Sequence, residues 1–102
     1  MTGVFGALAD ANRRHLLQAL AREEATATEL AAGLPVTRQA VAKHLAALRD
    51  AGLVEARRAG RETRDRLTPE PLGEAVEWLT AVGVAWDDRL ERLQRHLRRA
   101  PR

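Results

Sequence analysis

The sequence contains no cysteine and no serine, and its three aromatic residues are Phe5, Trp78 and Trp86. Without cysteine, the chain cannot form disulfides, thiolate metal sites or nucleophilic thiols. Without serine, it has no serine nucleophile. Three aromatic side chains are too few for a surface that stacks the bases of single-stranded nucleic acid. These absences exclude thiol chemistry, serine catalysis and base-stacking proteins of that kind.

Long hydrophobic runs are also missing. The longest apolar stretch without a charge runs from Trp78 to Trp86, whereas a membrane span needs about 20 residues. Near the N-terminus, Arg13 and Arg14 follow a short apolar stretch, which reverses the order found in a secretory signal. We therefore expect a cytoplasmic protein with no membrane partner.

Catalytic and metal-binding patterns are absent as well. The three histidines, His15, His44 and His96, fall on three different predicted helices, without the close His, Asp or Glu spacing that metal sites use. The adjacent acids Asp87 and Asp88 fit a solvated helix face, and no glycine-rich phosphate loop occurs. We expect no enzyme activity, no metal site and no cofactor.

The chain has 102 residues, with 20 alanines, 15 leucines and a net charge of +3. This length predicts a single domain over residues 1–102, and the composition favours helices. The basic excess is local, since residues 52–68 hold five arginines against three acids while residues 69–102 are balanced. An acidic partner would therefore bind the middle of the chain, where the basic excess lies.

Helix boundaries are well marked in the first half of the chain. Asp10 is a typical N-cap, and a short helix around Val4 precedes it. Thr26 and Glu29 have the spacing of a capping box and predict the start of a third helix, which Gly33 ends. The chain then turns sharply into a fourth helix.

The third and fourth helices have helix-turn-helix spacing over about residues 27–51. Thr37 caps the fourth helix, and helical periodicity places Val41, Leu45 and Leu48 on a buried face. The opposite face has small residues for close approach to DNA and side chains that pair with base edges. An ordinary solvated helix is the alternative. The candidate residues of this helix are Arg38, Gln39, Ala42, Lys43 and Ala46, with Thr37 as a cap first and His44 as either a phosphate donor or a structural histidine.

Residues 53–68 predict two short strands joined by a tight turn at Ala59 and Gly60. We call this hairpin the wing. It carries Arg57, Arg58, Arg61, Arg64 and Arg66, and arginines at a hairpin tip reach a phosphate backbone or a narrow minor groove. The alternative is a charged edge strand protected against aggregation.

A last helix is predicted over about residues 70–98, opened by Pro69 and Pro71. Its apolar positions step alternately by four and three residues, which is typical of a helix that packs against a partner helix. The helix is too long for a small domain to bury alone, so the pattern favours a two-fold dimer. We call these positions the heptad stripe: Leu72, Val76, Leu79, Gly83, Trp86, Leu90, Leu93 and Leu97.

Three segments carry a resemblance to the ArsR/SmtB family of bacterial winged-helix repressors. They read FGALADANRRHLLQAL, ATELAAGLPVTRQAVAKHLAALRDAGLV and RRAGRETRDRLTPEPL. The middle segment is similar to the family's recognition-helix pattern SxxAVSxHLxxLxxAGLV, with Thr37 at the first serine and His44 at the histidine. Ala31 and Gly33 stand where metal-sensing members carry a cysteine pair, so the chain resembles the branch without a recognised metal site.

The resemblance implies a mainly α-helical winged helix-turn-helix fold that dimerises through its first and last helices. It implies DNA contacts by the recognition-helix residues Thr37, Arg38, Gln39, Lys43 and His44, and by the wing residues Arg58, Arg61 and Arg64. The dimer contacts would be Phe5, Leu79, Gly83, Trp86, Leu90, Leu93 and Leu97.

The resulting prediction is a sequence-specific regulator that binds double-stranded DNA, as a homodimeric repressor on an inverted repeat. Two alternatives stay open. One is a helical protein-interaction module without DNA binding. The other is a regulator with a small-molecule effector site at the dimer interface near Trp78 and Trp86.

Overall fold

The computed structural model describes residues 2–99, which form five helices and a three-stranded antiparallel sheet. This arrangement confirms the predicted class, a mainly helical protein with a small β-wing. In chain order, the elements are α1 (Thr2–Leu8), α2 (Ala11–Leu20), β1 (Ala25–Thr26), α3 (Ala27–Ala32), α4 (Arg38–Asp50), β2 (Val54–Ala59), β3 (Glu62–Leu67) and α5 (Glu70–Arg99).

The helix starts lie where the capping residues predict them. The Asp10 carboxylate accepts hydrogen bonds from the backbone N–H groups of Asn12 (2.8 Å) and Arg13 (3.1 Å). The bond from the Arg13 N–H is the main reason that the pKa of Asp10 is lowered. At α3, the Thr26 hydroxyl accepts from the Glu29 N–H (3.1 Å), and the Glu29 carboxylate accepts from the Thr26 N–H (2.9 Å). The capping box is confirmed.

The core lies between α1, α2, α3 and α4, and it is closed by the start of β2 and the first turns of α5. The predicted inner face of α4 is fully buried there. Aliphatic side chains, above all leucine, fill this core, which agrees with the shortage of aromatic residues. The buried apolar residues are Val4, Ala7, Leu16, Leu17, Leu20, Leu30, Val41, Leu45, Leu48, Leu53, Val54 and Ala75.

The sheet has the strand order β1-β3-β2 and so contains one strand more than the predicted hairpin. β1 is two residues long, too short to leave an alternating pattern in the sequence, and it pairs Ala25 with Asp65. The predicted turn position is wrong by one residue. Because Ala59 pairs with Glu62, the turn consists of Gly60 and Arg61. Gly60 has φ +64°, which glycine adopts without strain.

Only the first turns of α5 contact the rest of the domain. Leu72 is half-buried, Ala75 is buried, and the ring of Trp78 lies 5.6 Å from that of Phe5 on α1. Every side chain described beyond Ala75 on this helix is exposed. Part of the heptad stripe was predicted to cover the domain's own core. This is confirmed for the first residue of the stripe, Leu72. The described chain measures 73 × 26 × 21 Å.

None of the helices within residues 2–99 combines the length and the apolar character that crossing a membrane requires.

Candidate nucleic-acid interface

Helix α4 presents the predicted candidate residues on its solvent side. The Thr37 hydroxyl accepts a hydrogen bond from the Ala40 N–H (3.1 Å) and fixes the start of the helix. His44 is half-buried at the border of the two faces. The remaining candidates, Arg38, Gln39, Ala42, Lys43 and Ala46, are exposed. The face of α4 that helical periodicity predicts to point away from the core is therefore exposed and accessible to a DNA groove.

The start of α4 and the tip of the wing lie on one cleft of about 430 Å³. Arg38 lines it from α4, Arg61 from the turn of the wing, and the other lining residues are 26–29 at the start of α3 and 62–63 on β3. Residues that are 23 positions apart in the chain thus share one concave surface. The helix-turn-helix and the wing therefore border the same cleft.

Four basic side chains of α4 and the wing are exposed and belong to the predicted interface: Arg38, Lys43, Arg58 and Arg61. Within residues 2–99, none of the four takes part in an ion pair with a carboxylate. Their charges are therefore available to phosphate groups, which dominate the affinity of proteins for DNA.

Arg64, which the sequence predicts as a wing contact to DNA, lies among carboxylates of its own chain. Its guanidinium is 3.2 Å from carboxylate oxygens of Glu24, Glu29 and Glu62, and it donates to the Glu24 carbonyl oxygen at 3.3 Å. The side chain is 23% exposed. Through its contacts with Glu24 and Glu29, Arg64 joins the wing to the helical domain.

Glu24, in the loop between α2 and β1, also holds the other strand of the wing. Its carboxylate accepts hydrogen bonds from Arg57 on β2 and from Arg64 on β3. Arg57 and Arg64 are direct cross-strand partners, a placement in which two like charges repel. Glu24 offsets this repulsion. The hydrogen bond from Arg57 is the largest reason that the pKa of Glu24 lies below its ordinary value.

A second connection joins the end of α4 to the middle of β3. Arg49 donates two hydrogen bonds to Asp65, from Nε to Oδ1 and from Nη2 to Oδ2, each 2.8 Å long. Asp65 is 1% exposed. The hydrogen bonds to Asp65 raise the pKa of Arg49. The pair fixes the angle between the recognition helix and the wing.

Sequence reasoning missed Arg49, Asp65 and Glu24. A signal for Asp65 was present, since strand alternation puts it on the same face as Leu67, and a carboxylate on a core face needs a cationic partner. The partner was not readable, because Arg49 is an ordinary C-terminal helix residue in the sequence. For Glu24, nothing in its neighbourhood indicates two arginines more than 30 residues away.

The part of the chain from residue 2 to residue 99 contains no group of three or more His, Asp or Glu side chains placed to hold a metal ion. Ala31 lies in α3, and Gly33 is the C-cap residue of that helix.

A capped recognition helix with an exposed polar face, preceded by a short helix and followed by a basic β-hairpin, defines the winged helix-turn-helix class of DNA-binding proteins. Residues 8–57 match a family described as "Helix-turn-helix domain". The chain belongs to the ArsR/SmtB family of transcriptional regulators. This membership favours a regulator over an interaction module, and the family is not enzymatic.

Three similar proteins illustrate the relationship. The uncharacterized HTH-type transcriptional regulator YuzN of Bacillus subtilis is 43% identical over 76 residues, which cover 68% of this chain and 83% of that protein. A transcriptional repressor SmtB homolog of Synechocystis is 46% identical over 61 residues, covering 60% of this chain but 46% of that protein. The structure of an ArsR-like transcriptional regulator from Rhodococcus has a TM-score of 0.82 at 42% identity, covering 92% of this chain and 89% of that one.

Proposed function

We propose that the protein acts in the cytoplasm as a homodimeric repressor that binds an inverted repeat in double-stranded DNA. The observation that carries the proposal is the cleft shared by Arg38 and Arg61, neither of which has a carboxylate partner within residues 2–99, while the two glutamates that also line the cleft, Glu29 and Glu62, are paired with Arg64. A helix start and a hairpin tip that flank one concave surface fit a groove edge and the phosphates beside it.

We assign base readout to the exposed face of α4. Arg38 and Lys43 present donors that pair with guanine O6 and N7, and the amide of Gln39 pairs with adenine N6 and N7. Ala42 lies between them on the same face, where a methyl group lets the helix approach the bases closely. Thr37 and His44 lie at the edges of this face, and we assign them to phosphate contacts.

The wing supplies contacts that do not depend on sequence. Arg58 and Arg61 are exposed on the strand and the turn of the hairpin, and we assign both to the DNA backbone or the adjacent minor groove. Arg64 has no place in this set, because its guanidinium is held by carboxylates of the same chain.

We assign dimerisation to α1 and α5. Beyond Ala75, the heptad stripe exposes Val76, Leu79, Trp86, Leu90, Leu93 and Leu97, which is far more apolar surface than one helix leaves in water without a partner. Phe5 lies at the edge of this surface through its contact with Trp78. A two-fold dimer would bury the stripe and present two copies of α4 to successive major grooves, about 34 Å apart. A small-molecule site near Trp78 and Trp86 stays a prediction.

The direct test is selection of bound fragments from a pool of random duplex DNA with the purified protein. We expect enrichment of an inverted repeat whose half-sites are one helical turn apart. Recovery of random sequences by a folded and dimeric protein would contradict sequence-specific binding, and enrichment of a single half-site would contradict the two-fold arrangement.

A further inference from the structure

The recognition helix and the wing are joined by one pair of side chains. Within residues 2–99, the only side-chain hydrogen bonds between α4 and the wing run from Arg49 to Asp65. The ion pairs that hold the wing to the rest of the domain run to Glu24, in the loop before β1, and to Glu29 in α3. One ion pair therefore forms the polar connection between the two elements assigned to DNA binding.

This connection is the least hydrated of the wing's ion pairs. Asp65 is 1% exposed, whereas the side chains of Glu24 and Glu29 are 32% and 54% exposed. Salt screens exposed charges strongly and buried pairs much less. The guanidinium of Arg49 also meets the carboxylate through two parallel hydrogen bonds, which fix direction as well as distance. The pair therefore keeps its geometry in the salt solutions in which proteins bind DNA.

Asp65 relays the position of α4 to the whole sheet. It lies on β3, the central strand, and its ladder partners are Ala25 on β1 and Ala56 on β2. Arg61, in the turn, is four residues away, which is about 13 Å along an extended strand. A tilt of the hairpin by about 10° around Asp65 moves the turn by about 2 Å. Binding sites tolerate displacements of about 0.5 Å, so such a tilt separates Arg61 from its phosphate.

Neither member of the pair is placed to contact DNA itself. Arg49 follows Arg38 by 11 residues, so it lies about 16 Å along α4 from the end of the helix that lines the cleft. Asp65 is buried and carries the same sign of charge as a phosphate. An effect of either residue on DNA binding must therefore act through the position of the wing.

We infer that Arg49 and Asp65 are positioning residues for DNA binding, which hold the wing at the angle where Arg61 and the exposed face of α4 reach the same DNA together. The inference rests on the proposed function and names the residues that set the contribution of the wing to affinity. With the pair in place, the hairpin is ordered before DNA arrives, so binding loses little conformational freedom. Without the pair, the same wing arginines stay on the surface at no fixed distance from α4.

An apolar replacement of the pair separates position from stability. Arg49→Met combined with Asp65→Val exchanges the ion pair for apolar side chains and leaves the net charge unchanged. Such exchanges of buried pairs are often neutral or stabilising, so we expect this full-length double variant to keep a urea midpoint close to that of the wild type. The matched control is Glu55→Gln combined with Arg66→Gln, which removes an exposed ion pair between β2 and β3, also without a change in net charge.

Binding is measured for the selected inverted repeat and for a scrambled duplex over a series of salt concentrations. For the apolar double variant, we expect affinity about tenfold lower on both duplexes, and a slope of log affinity against log salt reduced by about 1. The ratio of the two affinities should stay unchanged, because the base-reading face of α4 is intact. The control double variant should bind both duplexes as the wild type does.

The effect of Arg61→Ala in the two backgrounds distinguishes a positioning role from a merely structural one. In the wild type this substitution should reduce the salt slope by about 1. In the apolar double variant it should change the slope little, because the misplaced wing no longer reaches its phosphate. An equal change of slope in both backgrounds would overturn the inference and leave the proposed regulator standing. A wild-type protein that binds neither duplex would overturn the proposed function, and no effect of Arg61→Ala in either background would overturn the wing contact; the inference fails with each.

Arg49→Lys tests the same geometry with the charge retained. Lysine keeps a positive charge beside Asp65 but cannot form two parallel hydrogen bonds to it. We expect this variant to stay folded, with a urea midpoint above that of Arg49→Ala, and to bind DNA with a reduced salt slope. Wild-type affinity and slope in the folded Arg49→Lys protein would overturn the inference, because a charge without the two-pronged geometry would then suffice.

Discussion

Arg49 and Asp65 form a bidentate ion pair that joins the last turn of the recognition helix to β3, the central strand of the sheet, with both hydrogen bonds 2.8 Å long. Asp65 is 1% exposed, whereas Arg49 keeps part of its side chain in water. The carboxylate therefore depends on this one guanidinium, and the orientation of the wing relative to α4 depends on the pair.

Removing the guanidinium should leave a buried carboxylate without its partner. We expect Arg49→Ala to lower the free energy of unfolding by about 3 kcal/mol, measured by urea denaturation. The control is Arg66→Ala, which breaks the exposed pair with Glu55 and should cost at most about 1 kcal/mol. A smaller loss for Arg49→Ala than for Arg66→Ala would contradict the structural importance of the buried pair.

Glu24→Gln should loosen the wing without unfolding the domain. The substitution removes the charge that lies between Arg57 and Arg64, so these cross-strand arginines repel each other without compensation. We expect faster amide hydrogen exchange in residues 62–67 and unchanged exchange in α2 and α4. Glu55→Gln, on β2 and paired only with the exposed Arg66 within residues 2–99, is the matched control and should leave the wing as protected as before. Equal exchange in both variants would contradict the role of Glu24.

Acid should weaken the hydrogen bonds that three carboxylates accept in the folded chain. The pKa values of Asp10, Glu24 and Glu29 are lowered in the folded chain, mainly by hydrogen bonds from Arg13, Arg57 and Thr26 respectively. A lowered pKa stabilises the fold above the group's ordinary value, and this stabilisation is lost as the pH falls through the folded value. We expect the urea midpoint to fall below about pH 4.5, and to fall less steeply in Glu24→Gln. An identical pH dependence in that variant would contradict the contribution of Glu24.

Two wing arginines should behave differently in DNA binding. Arg61 is exposed at the turn, so Arg61→Ala should weaken binding to all duplexes and reduce the slope of log affinity against log salt by about 1. Arg64→Ala should leave that slope nearly unchanged and instead lower the order of the wing. A larger change of slope for Arg64 than for Arg61 would restore Arg64 as a phosphate contact and contradict the ion-pair assignment.

The local features of this fold are predictable from sequence, because each depends on residues close together in the chain. The caps at Asp10, Thr26 and Thr37 fix where helices start, and periodicity separates the two faces of α4. The interface positions Arg38 and Arg61 were also predicted individually. Their shared cleft was not, since it depends on how the wing folds back toward α4.

The contacts that orient the wing could not be predicted. β1 is two residues long, and its pairing with β3 depends on tertiary structure. The sequence of the hairpin does not indicate which of its arginines are exposed to solvent and which form an ion pair with a carboxylate. Glu24 forms ion pairs with Arg57 and Arg64. Because Glu24 is far from both arginines in the sequence, the local pattern does not indicate these pairs.

Gln39 gives the most direct test of whether α4 reads DNA sequence through its exposed face, because its side chain is neutral. The measurement is the affinity of wild-type and Gln39→Ala protein for the selected inverted repeat and for a scrambled duplex, at one salt concentration. We expect a loss of about 1–3 kcal/mol on the inverted repeat and no change on the scrambled duplex. Unchanged affinity for both, or an equal loss on both, would contradict the account.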